Sequence, residues 1–501
     1  MFTESGFIES DVTDVVIVGA GPTGLTLAIE LARRGVPHRL LEQSAGPFDG
    51  SRGKGLQPRT LEVLDDLGVL DRFLAAGALY PSLRIHRPDG HELDWRMDEL
   101  HEATPDVPYP NTWMVPQWRT VELLADRLAE LGGRVERGAG VTGLTQDDTG
   151  VHLTLSTGET LVARYVVGAD GGRSTIRRAL GVGFAGETYE TQRMLIADVR
   201  LTGLDRAAWH VWPGDDAQSF RLGLCPLPGT EDFQLTAPLT DDDPEPSLAS
   251  LQALVSAVQP GVTLTHLGWN SRFRANMRMV DRYRIGNVFL AGDAAHVHSP
   301  AGGQGMNTGI QDAYNLAWKL ATGDDTLLDS YEAERLPVAA DVLGISTKLH
   351  NRVLEGTEDA MRRDDPVLRQ LGLGYRGGPL ADERRPAPGL LRAGDRAPDA
   401  PCGTVRIFDM LRGPHATLLA FDAPEVSFPG LRVVHIAAPG TPPAADTIID
   451  AEGHAHRAYD VKTPTLFLVR PDNYIGCAAL VTDQGAVDAY LRRLAPAAIG
   501  A

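Results

Sequence analysis

Cysteine is scarce in this chain of 501 residues: Cys225, Cys402 and Cys477 are the only three, and they lie far apart. An odd, dispersed set argues against a disulfide framework and fits a reducing, cytoplasmic setting. There is no CxxC and no HExxH. His296 and His298 would be two ligands at most, so no metal site is expected, and the pair can equally fill a turn. Lysine is rarer than usual, confined to Lys54, Lys319, Lys348 and Lys462, and acids outnumber all Lys and Arg by 66 to 47. A formal net charge of −19 speaks against a nucleic-acid partner, whose binding rests on clustered cations. No apolar run has the length of a membrane span. The opening MFTESGFIESD lacks the basic and apolar regions of a signal peptide, so a cytoplasmic protein without a membrane partner is expected. Internal repeats and low-complexity tracts are also missing.

What is present is an α/β pattern interrupted by antiparallel-looking stretches. DVVIV (14–18) has the look of a buried parallel strand, LTLAIELARRG a helix stopped at Gly35, and PHRLLEQ a second strand. Residues 14–43 thus form one βαβ unit. Residues 80–116 are rich in Pro, His and Trp, and Thr120 to Gly132 is an amphipathic helix. VHLTLSTGETLVARYVVG (151–168) is a hairpin turning at Thr157-Gly158. Runs of alternating polarity over 190–280 predict a mainly antiparallel sheet. The α/β pattern returns over 281–350 and ends in a long helical region around 331–353. A Pro-, Gly- and Arg-rich stretch, 375–402, marks a linker. Beyond it, VRIFDML, ATLLAF, LRVVHI and TLFLVR predict strands, and AVDAYLRRLA a final helix. At about 100–200 residues per domain, the length suggests about two to four domains.

Three glycine-rich motifs each follow an apolar strand. Gly19-Ala20-Gly21-Pro22-Thr23-Gly24 opens the first helix. Its glycines permit a tight turn, close backbone approach to a pyrophosphate and close helix–strand packing. Glu42 ends the next strand, where an acid can hold a ribose diol. In this context the motif predicts dinucleotide binding; the bare alternative is a turn with no ligand. The second motif is Val167-Gly168-Ala169-Asp170-Gly171-Gly172-Arg173-Ser174. Ser174 can cap the following helix with Asp170 in the turn, yet a carboxylate between glycines is more than capping requires. The third is AGDAAHVHSPAGGQGMN (291–307). Asp293 at a strand end can accept from a second sugar-like hydroxyl. The helix N-terminus after PAGGQGM can stabilise a partial negative charge on a bound ring.

These motifs, in this order, resemble the class A flavoprotein monooxygenases with the para-hydroxybenzoate hydroxylase fold, of the bacterial aromatic polyketide hydroxylase and rifampicin monooxygenase type. SRGKG (51–55) with QPRTLEVLDDLG resembles the family's arginine-bearing segment, Gln117 its FAD-contacting glutamine, and YEAERLP (331–337) a further typical stretch. VRPDNYIG resembles the tail motif, with Asn473 and Cys477 departing from its commonest form. The resemblance covers nearly the whole chain. It implies a Rossmann-like FAD-binding domain from 1–80, 115–185 and 281–375, and an inserted antiparallel β-sheet substrate domain from 81–114 and 186–280. A linker, 376–402, then leads to a thioredoxin-like C-terminal domain, 403–501, which carries no redox CxxC.

The same resemblance implies one non-covalent FAD, transient NADPH or NADH, O2 as cosubstrate and an aromatic small-molecule substrate, in a monomer or homodimer. Gly19, Gly21, Pro22, Thr23 and Gly24 would hold the pyrophosphate region, with Glu42 and Gln43 at the adenosine ribose. Arg52 and Gln117 would line the FAD, Asp170 would support the nucleotide, and Asp293 would bind the ribityl chain. Pro300, Gly303, Gly305, Met306 and Asn307 would run along the isoalloxazine. Oxygen would reach a phenolic or polyketide-type ring through a flavin C4a-hydroperoxide, with the protein supplying orientation and water exclusion. No catalytic acid–base pair is therefore expected; Arg52 and Pro300 are the residues nearest the chemistry. Trp95, Trp113, Trp212, Phe220 and Arg221 are substrate candidates, each equally readable as sheet core or surface. Baeyer–Villiger insertion on the same scaffold and a non-catalytic FAD-binding homologue stay open. The halogenase WxWxIP motif is missing, since 113–116 reads Trp-Met-Val-Pro.

Overall fold

The computed structural model describes residues 12–214, 220–239, 245–299, 302–355, 361–423 and 425–494, and omits the side chains of 12, 190–192, 220, 275, 350, 351 and 353–355. Strand Val12–Val18 lies at the centre of the first sheet, parallel to both His38–Glu42 and Thr160–Gly168. Val135–Arg137 and Val288–Leu290 extend it on either side, also in parallel. The inner strands carry near-continuous Val, Ile and Leu because both faces are covered. Val15, Val16 and Ile17 are fully buried between helices that include Pro22–Arg33 and Gly305–Thr322. Gly35 ends the first helix at φ 67°, a left-handed position that a side chain would strain. The hairpin turns where expected: Gly150–Leu155 pairs antiparallel with Thr160–Gly168, and Gly158 sits at φ 87°.

The second sheet has eight strands, in the order His296–Val297, Thr263–Met279, Ala185–Thr202, Asp232–Leu239, Phe220–Pro226, Ala208–Pro213, Ser82–His86 and Glu92–Trp95. All its pairings are antiparallel except Ala208–Pro213 with Ser82–His86. One face is an apolar core built from Leu195, Ala197, Val199, Leu222, Leu224 and Leu235, covered by helix Leu248–Ser256. The opposite face meets the loop 50–54.

A third sheet lies toward the C-terminus. Thr417–Phe421, Arg432–Ala437 and Thr447–Ile449 run parallel, and Thr465–Val469 lies antiparallel between Thr417–Phe421 and Ile475–Leu480. VRIFDML departs from the expected strand: Val405–Arg406 is a two-residue strand and Ile407–Leu411 is a helix. Short apolar runs do not separate the two states by periodicity. Here Asp409 accepts from the Arg406 N–H at 3.0 Å and Asp399 from the Phe408 N–H at 3.0 Å, which caps a helix. The Pro-, Gly- and Arg-rich stretch 375–402 is packed rather than loose. Asp382–Glu383 adds an edge strand to Ile475–Leu480, and the Tyr375 N–H donates to the Gly394 carbonyl at 2.7 Å.

A buried ionic cluster fastens this third sheet to the helices. Arg470 donates to both oxygens of Glu334, at 2.6 and 2.9 Å, and to both of Asp472, at 2.9 and 2.6 Å. Lys319 donates to Glu334 at 2.8 Å and to Asn315 at 2.8 Å. Burial lowers the Lys319 pKa to about 8, against the pull of Glu334. Removing one member of such a cluster leaves buried charge uncompensated. Glu334→Ala is expected to cost about 3–5 kcal/mol of stability, read as an earlier urea unfolding midpoint; an unchanged midpoint would mean that the cluster contributes no net stability.

Candidate functional site

The three glycine motifs converge at one end of the first sheet. Gly19 sits at φ 105°, and a Cβ there would lie 2.4 Å from the Ala169 carbonyl oxygen, so the first two turns touch backbone to backbone. A Cβ on Gly24 would fall 1.9 Å from the Gly19 oxygen, which requires glycine for this helix–strand approach. Gly21 is different: a Cβ there meets nothing within 4 Å. Gly21 is also the N-cap of Pro22–Arg33 and offers no side-chain cap. The first turn thus has no side-chain cap and has open space beside Gly21, where an anion is favoured. Thr23 turns toward the third motif, with its hydroxyl within 2.5 Å of where a Gly292 Cβ would stand and 2.4 Å for Gly309.

Glu42 ends its strand and accepts from the Ala20 N–H at 3.0 Å and the Ser44 N–H at 2.9 Å. Two carboxylate oxygens offer about four acceptor positions, so capacity for a diol remains. Gln43 is exposed beside it. Asp170 does cap: its Oδ2 accepts from Thr175 N–H at 2.7 Å and Ile176 N–H at 3.2 Å, while Ser174 caps Arg177 N–H at 2.9 Å. Its other oxygen, Oδ1, is buried and has no partner among the described residues. Arg177 ties the second motif to the third, donating to the Gly172 carbonyl at 2.7 Å and the Ala294 carbonyl at 2.9 Å.

In the third motif Gly292 takes φ 58° and starts a short turn, Gly292–Ala294. Asp293 is exposed. Desolvation by the surrounding protein raises its pKa, while His296 and Arg52 pull it down. Helix Gly305–Thr322 begins nearby, again without a side-chain cap. A Cβ on Gly305 would stand 3.9 Å from Asp293 Oδ1. Pro300 lies outside the described residues. Gly303 takes φ 61°. Met306 approaches Gly53, and Asn307 binds the same loop, accepting from Gln57 N–H at 2.8 Å and donating to Gly55 at 2.9 Å. Gln117 also serves this loop, accepting from Gly53 N–H at 2.8 Å. Exposed Arg52 reaches Ser271 at 3.3 Å.

Sequence reasoning passed over two supports. Asp312 accepts from Gly292 N–H at 3.0 Å and Arg335 Nε at 2.7 Å, and pairs with His296 at 2.6 Å. Burial opposes its ionisation, but Arg335 and His296 hold its pKa below the usual carboxylate value. Burial, with a smaller contribution from the neighbouring His296, presses His298 down to about 3, so it is neutral at physiological pH. Charged residues inside otherwise apolar helical stretches, QDAYNLAWKL and YEAERLP, were the available signal.

Across loop 50–54 lies the polar face of the second sheet. Asp198 is paired in register with Trp269 on one side and Gln234 on the other, and Gln234 with Cys225. Cross-strand partners share a face, so these side chains form one row. A Cβ on Gly50 would strike the Trp269 ring at 2.2 Å, which shows how closely the loop packs. Lys54 is buried, donates to Gln234 Oε1 at 2.5 Å and stands 4.2 Å over the Trp209 ring. The Gln234 amide also donates to the Ser51 carbonyl. Met114 meets Cys225, sulfur to sulfur, at 3.9 Å.

The substrate candidates divide by strand alternation. Trp95 pairs with Leu83, which pairs with Trp209, and so shares the polar face. Arg221 is exposed and alternates with Cys225. Trp212 points the other way, into the apolar core, with its ring 4.5 Å from His86. Trp113 leans on the first core and donates to the Phe73 carbonyl at 3.1 Å. The side chain of Phe220 lies outside the described residues.

This architecture agrees with comparisons to known proteins. A family described as FAD binding domain matches residues 12–346. A flavin-dependent monooxygenase of Mycobacteroides abscessus is 48% identical over 498 residues, covering 96% of this chain and 99% of the relative. A rifampicin monooxygenase of Streptomyces venezuelae is 40% identical over 346 residues, covering 66% of this chain and 69% of the relative. Among solved structures, a ternary complex of aklavinone-11 hydroxylase with FAD and aklavinone superposes with a TM-score of 0.79 at 26% identity, covering 96% of this chain and 99% of the other. The chain belongs to the FAD-binding-domain family of flavoprotein monooxygenases, and it is an FAD-dependent monooxygenase. The residues present fit that group: an open helix N-terminus for phosphate, acids with free acceptor capacity at Glu42, Asp170 and Asp293, and a second uncapped helix end for the ring.

Desolvation dominates at Asp198 and raises its pKa to about 7, although Ser51 and Lys54 favour ionisation. A carboxyl whose folded pKa is raised stabilises the fold below its unfolded pKa, and this contribution is lost as pH rises through the folded value. Asp198→Asn is therefore expected to raise Tm relative to wild type at about pH 8, with the gain shrinking toward about pH 4. A Tm difference independent of pH would show that Asp198 does not titrate in this range.

Proposed function

We propose that the chain hydroxylates an aromatic, phenolic or polyketide-type molecule, consuming NADPH or NADH and O2. In balance, substrate C–H, O2, reduced nicotinamide and a proton give substrate C–OH, water and oxidised nicotinamide. The observation that carries this reading is the facing of two surfaces across loop 50–54. On one side three glycine turns meet backbone to backbone beside an exposed Asp293. On the other stands a row of aromatic and polar side chains, Trp269, Asp198, Gln234 and Trp209.

In this proposal Gly19, Gly21, Thr23 and Gly24 receive the FAD pyrophosphate, Glu42 the adenosine ribose and Asp293 the ribityl hydroxyls. Asp170 supports the nucleotide through its unpartnered oxygen, and Arg52 borders the ring. Gln117 and Asn307 act by fixing loop 53–57, whose backbone they bind. When bound, the reduced flavin supplies oxygen activation and transfer to the ring. The protein orients the substrate on the sheet face and keeps water out. The C-terminal sheet, read as a thioredoxin-like domain, serves packing rather than thiol chemistry: Cys402 and Cys477 are buried, and burial pushes both thiols up to about 12.

Asp293→Ala is expected to weaken FAD binding by about ten-fold or more, the scale of a lost hydrogen bond to a charged group. Flavin fluorescence titration of the apoprotein measures this, and unchanged affinity would remove Asp293 from the site. For the reaction, NADPH reduces the flavin anaerobically while visible absorbance is followed, with and without a panel of phenols and aromatic polyketides. A compound that strongly accelerates bleaching is expected. Fast reduction that no compound alters, or no flavin signal at all, would overturn the reading. Product mass and NMR separate hydroxylation from oxygen insertion beside a ketone.

A further inference from the structure

Asp198 has no account in the packing of the sheet. It is 6% exposed, and neither carboxylate oxygen has a hydrogen-bond partner among the described residues. Ser51 lies beside it and favours its ionisation, and the Ser51 hydroxyl is itself buried without a partner among the described residues. Lys54, the neighbouring cation, is engaged by Gln234 at 2.5 Å and by the Trp209 ring. At the far end of the same face, the Trp209 indole Nε1 is a buried donor that also has no partner among the described residues. A buried polar group left unmatched costs free energy and calls for an explanation.

The chemistry of the orphans is specific. An ionised carboxyl only accepts, so Asp198 requires a donor; an indole N–H only donates, so Trp209 requires an acceptor. Asp198, Gln234, Cys225 and Trp209 lie on four consecutive strands. Three inter-strand steps set the backbones of the two orphans about 14 Å apart, a spacing that suits more than one ring. All of this lies opposite the glycine turns assigned above to the flavin.

We propose that Asp198 is the substrate-recognition residue of this monooxygenase, accepting a hydrogen bond from a free hydroxyl of a fused-ring aromatic whose far oxygen takes the Trp209 N–H. The inference rests on the aromatic-hydroxylase reading and names the residues that select its substrate. Lys54, held aside by Gln234 and Trp209, supplies positive charge beside the Asp198 carboxyl, which favours its ionised, accepting form. A methyl ether at that hydroxyl loses the donor and leaves Asp198 unmatched.

The test uses FAD-loaded protein and two probes, emodin and physcion. Physcion is emodin methylated at the one hydroxyl not bonded internally to a carbonyl. Binding is read from quenching of tryptophan fluorescence and from the flavin difference spectrum, without turnover. Wild type should bind emodin about ten-fold or more tightly than physcion, as expected for a charge-assisted hydrogen bond. Asp198→Leu, which keeps the volume and removes the acceptor, should abolish that preference, bringing the emodin-to-physcion affinity ratio to about one. Asp198→Asn, which retains an acceptor and the shape, should keep an intermediate preference, and it carries the test if the leucine variant does not fold. An emodin-to-physcion ratio equal in wild type and variants would overturn the inference, as would a loaded protein that binds neither probe. Protein that takes up no FAD would overturn the underlying reading along with it.

Discussion

Asp312 is the buried carboxylate on which the geometry of the site depends. One oxygen takes the Gly292 N–H and faces His296, and the other takes Arg335 Nε. These partners come from a strand end, a two-residue strand and the long helix Asp325–Glu355. Arg335 continues to the Thr308 carbonyl at 3.2 Å and the Tyr375 hydroxyl at 3.1 Å. A fully buried charge is tolerable only when its partners are all in place. The turn carrying Asp293 is thus set by an ion pair on the far side of its backbone. Asp293 itself stays exposed.

The eight-stranded sheet solves a different problem, since it must be a core on one side and a binding wall on the other. Strand alternation does this without a special motif. Leu195, Ala197 and Val199 go to the apolar core, and Ile196 and Asp198 to the opposite face. The same rule carries Trp212 away from the loop and brings Trp209 to it. Register across four strands then lines up side chains that are distant in sequence. Loop 50–54, pressed onto Trp269 through Gly50, closes the gap between the two sheets.

The glycine turns were legible because their requirements are local. A left-handed Gly19, a Gly24 pressed against the Gly19 carbonyl and a Gly292 at φ 58° each need glycine for reasons contained within a few residues. Asp170 shows the limit of such reading, since it is at once a helix cap and an acid with an unused oxygen. Gln117 and Asn307 stand at the site but spend their hydrogen bonds on the backbone of loop 53–57. Asp198 was not legible at all. In LIADVRL it has the look of an ordinary polar position on a strand, and only burial without a partner makes it notable.

By itself, then, the sequence determined the βαβ unit, the three strand–turn–helix motifs and the acids within them, because hydrophobic period, glycine conformation and capping act over short stretches of chain. It did not determine which tryptophans share a face, that Lys54 is buried over Trp209, or that Arg470 binds Glu334 across the join to the third sheet. Those were decided by register and by burial. Both arise only when distant strands pair and water is removed, and the charge, pKa and exposure of a side chain take their values there.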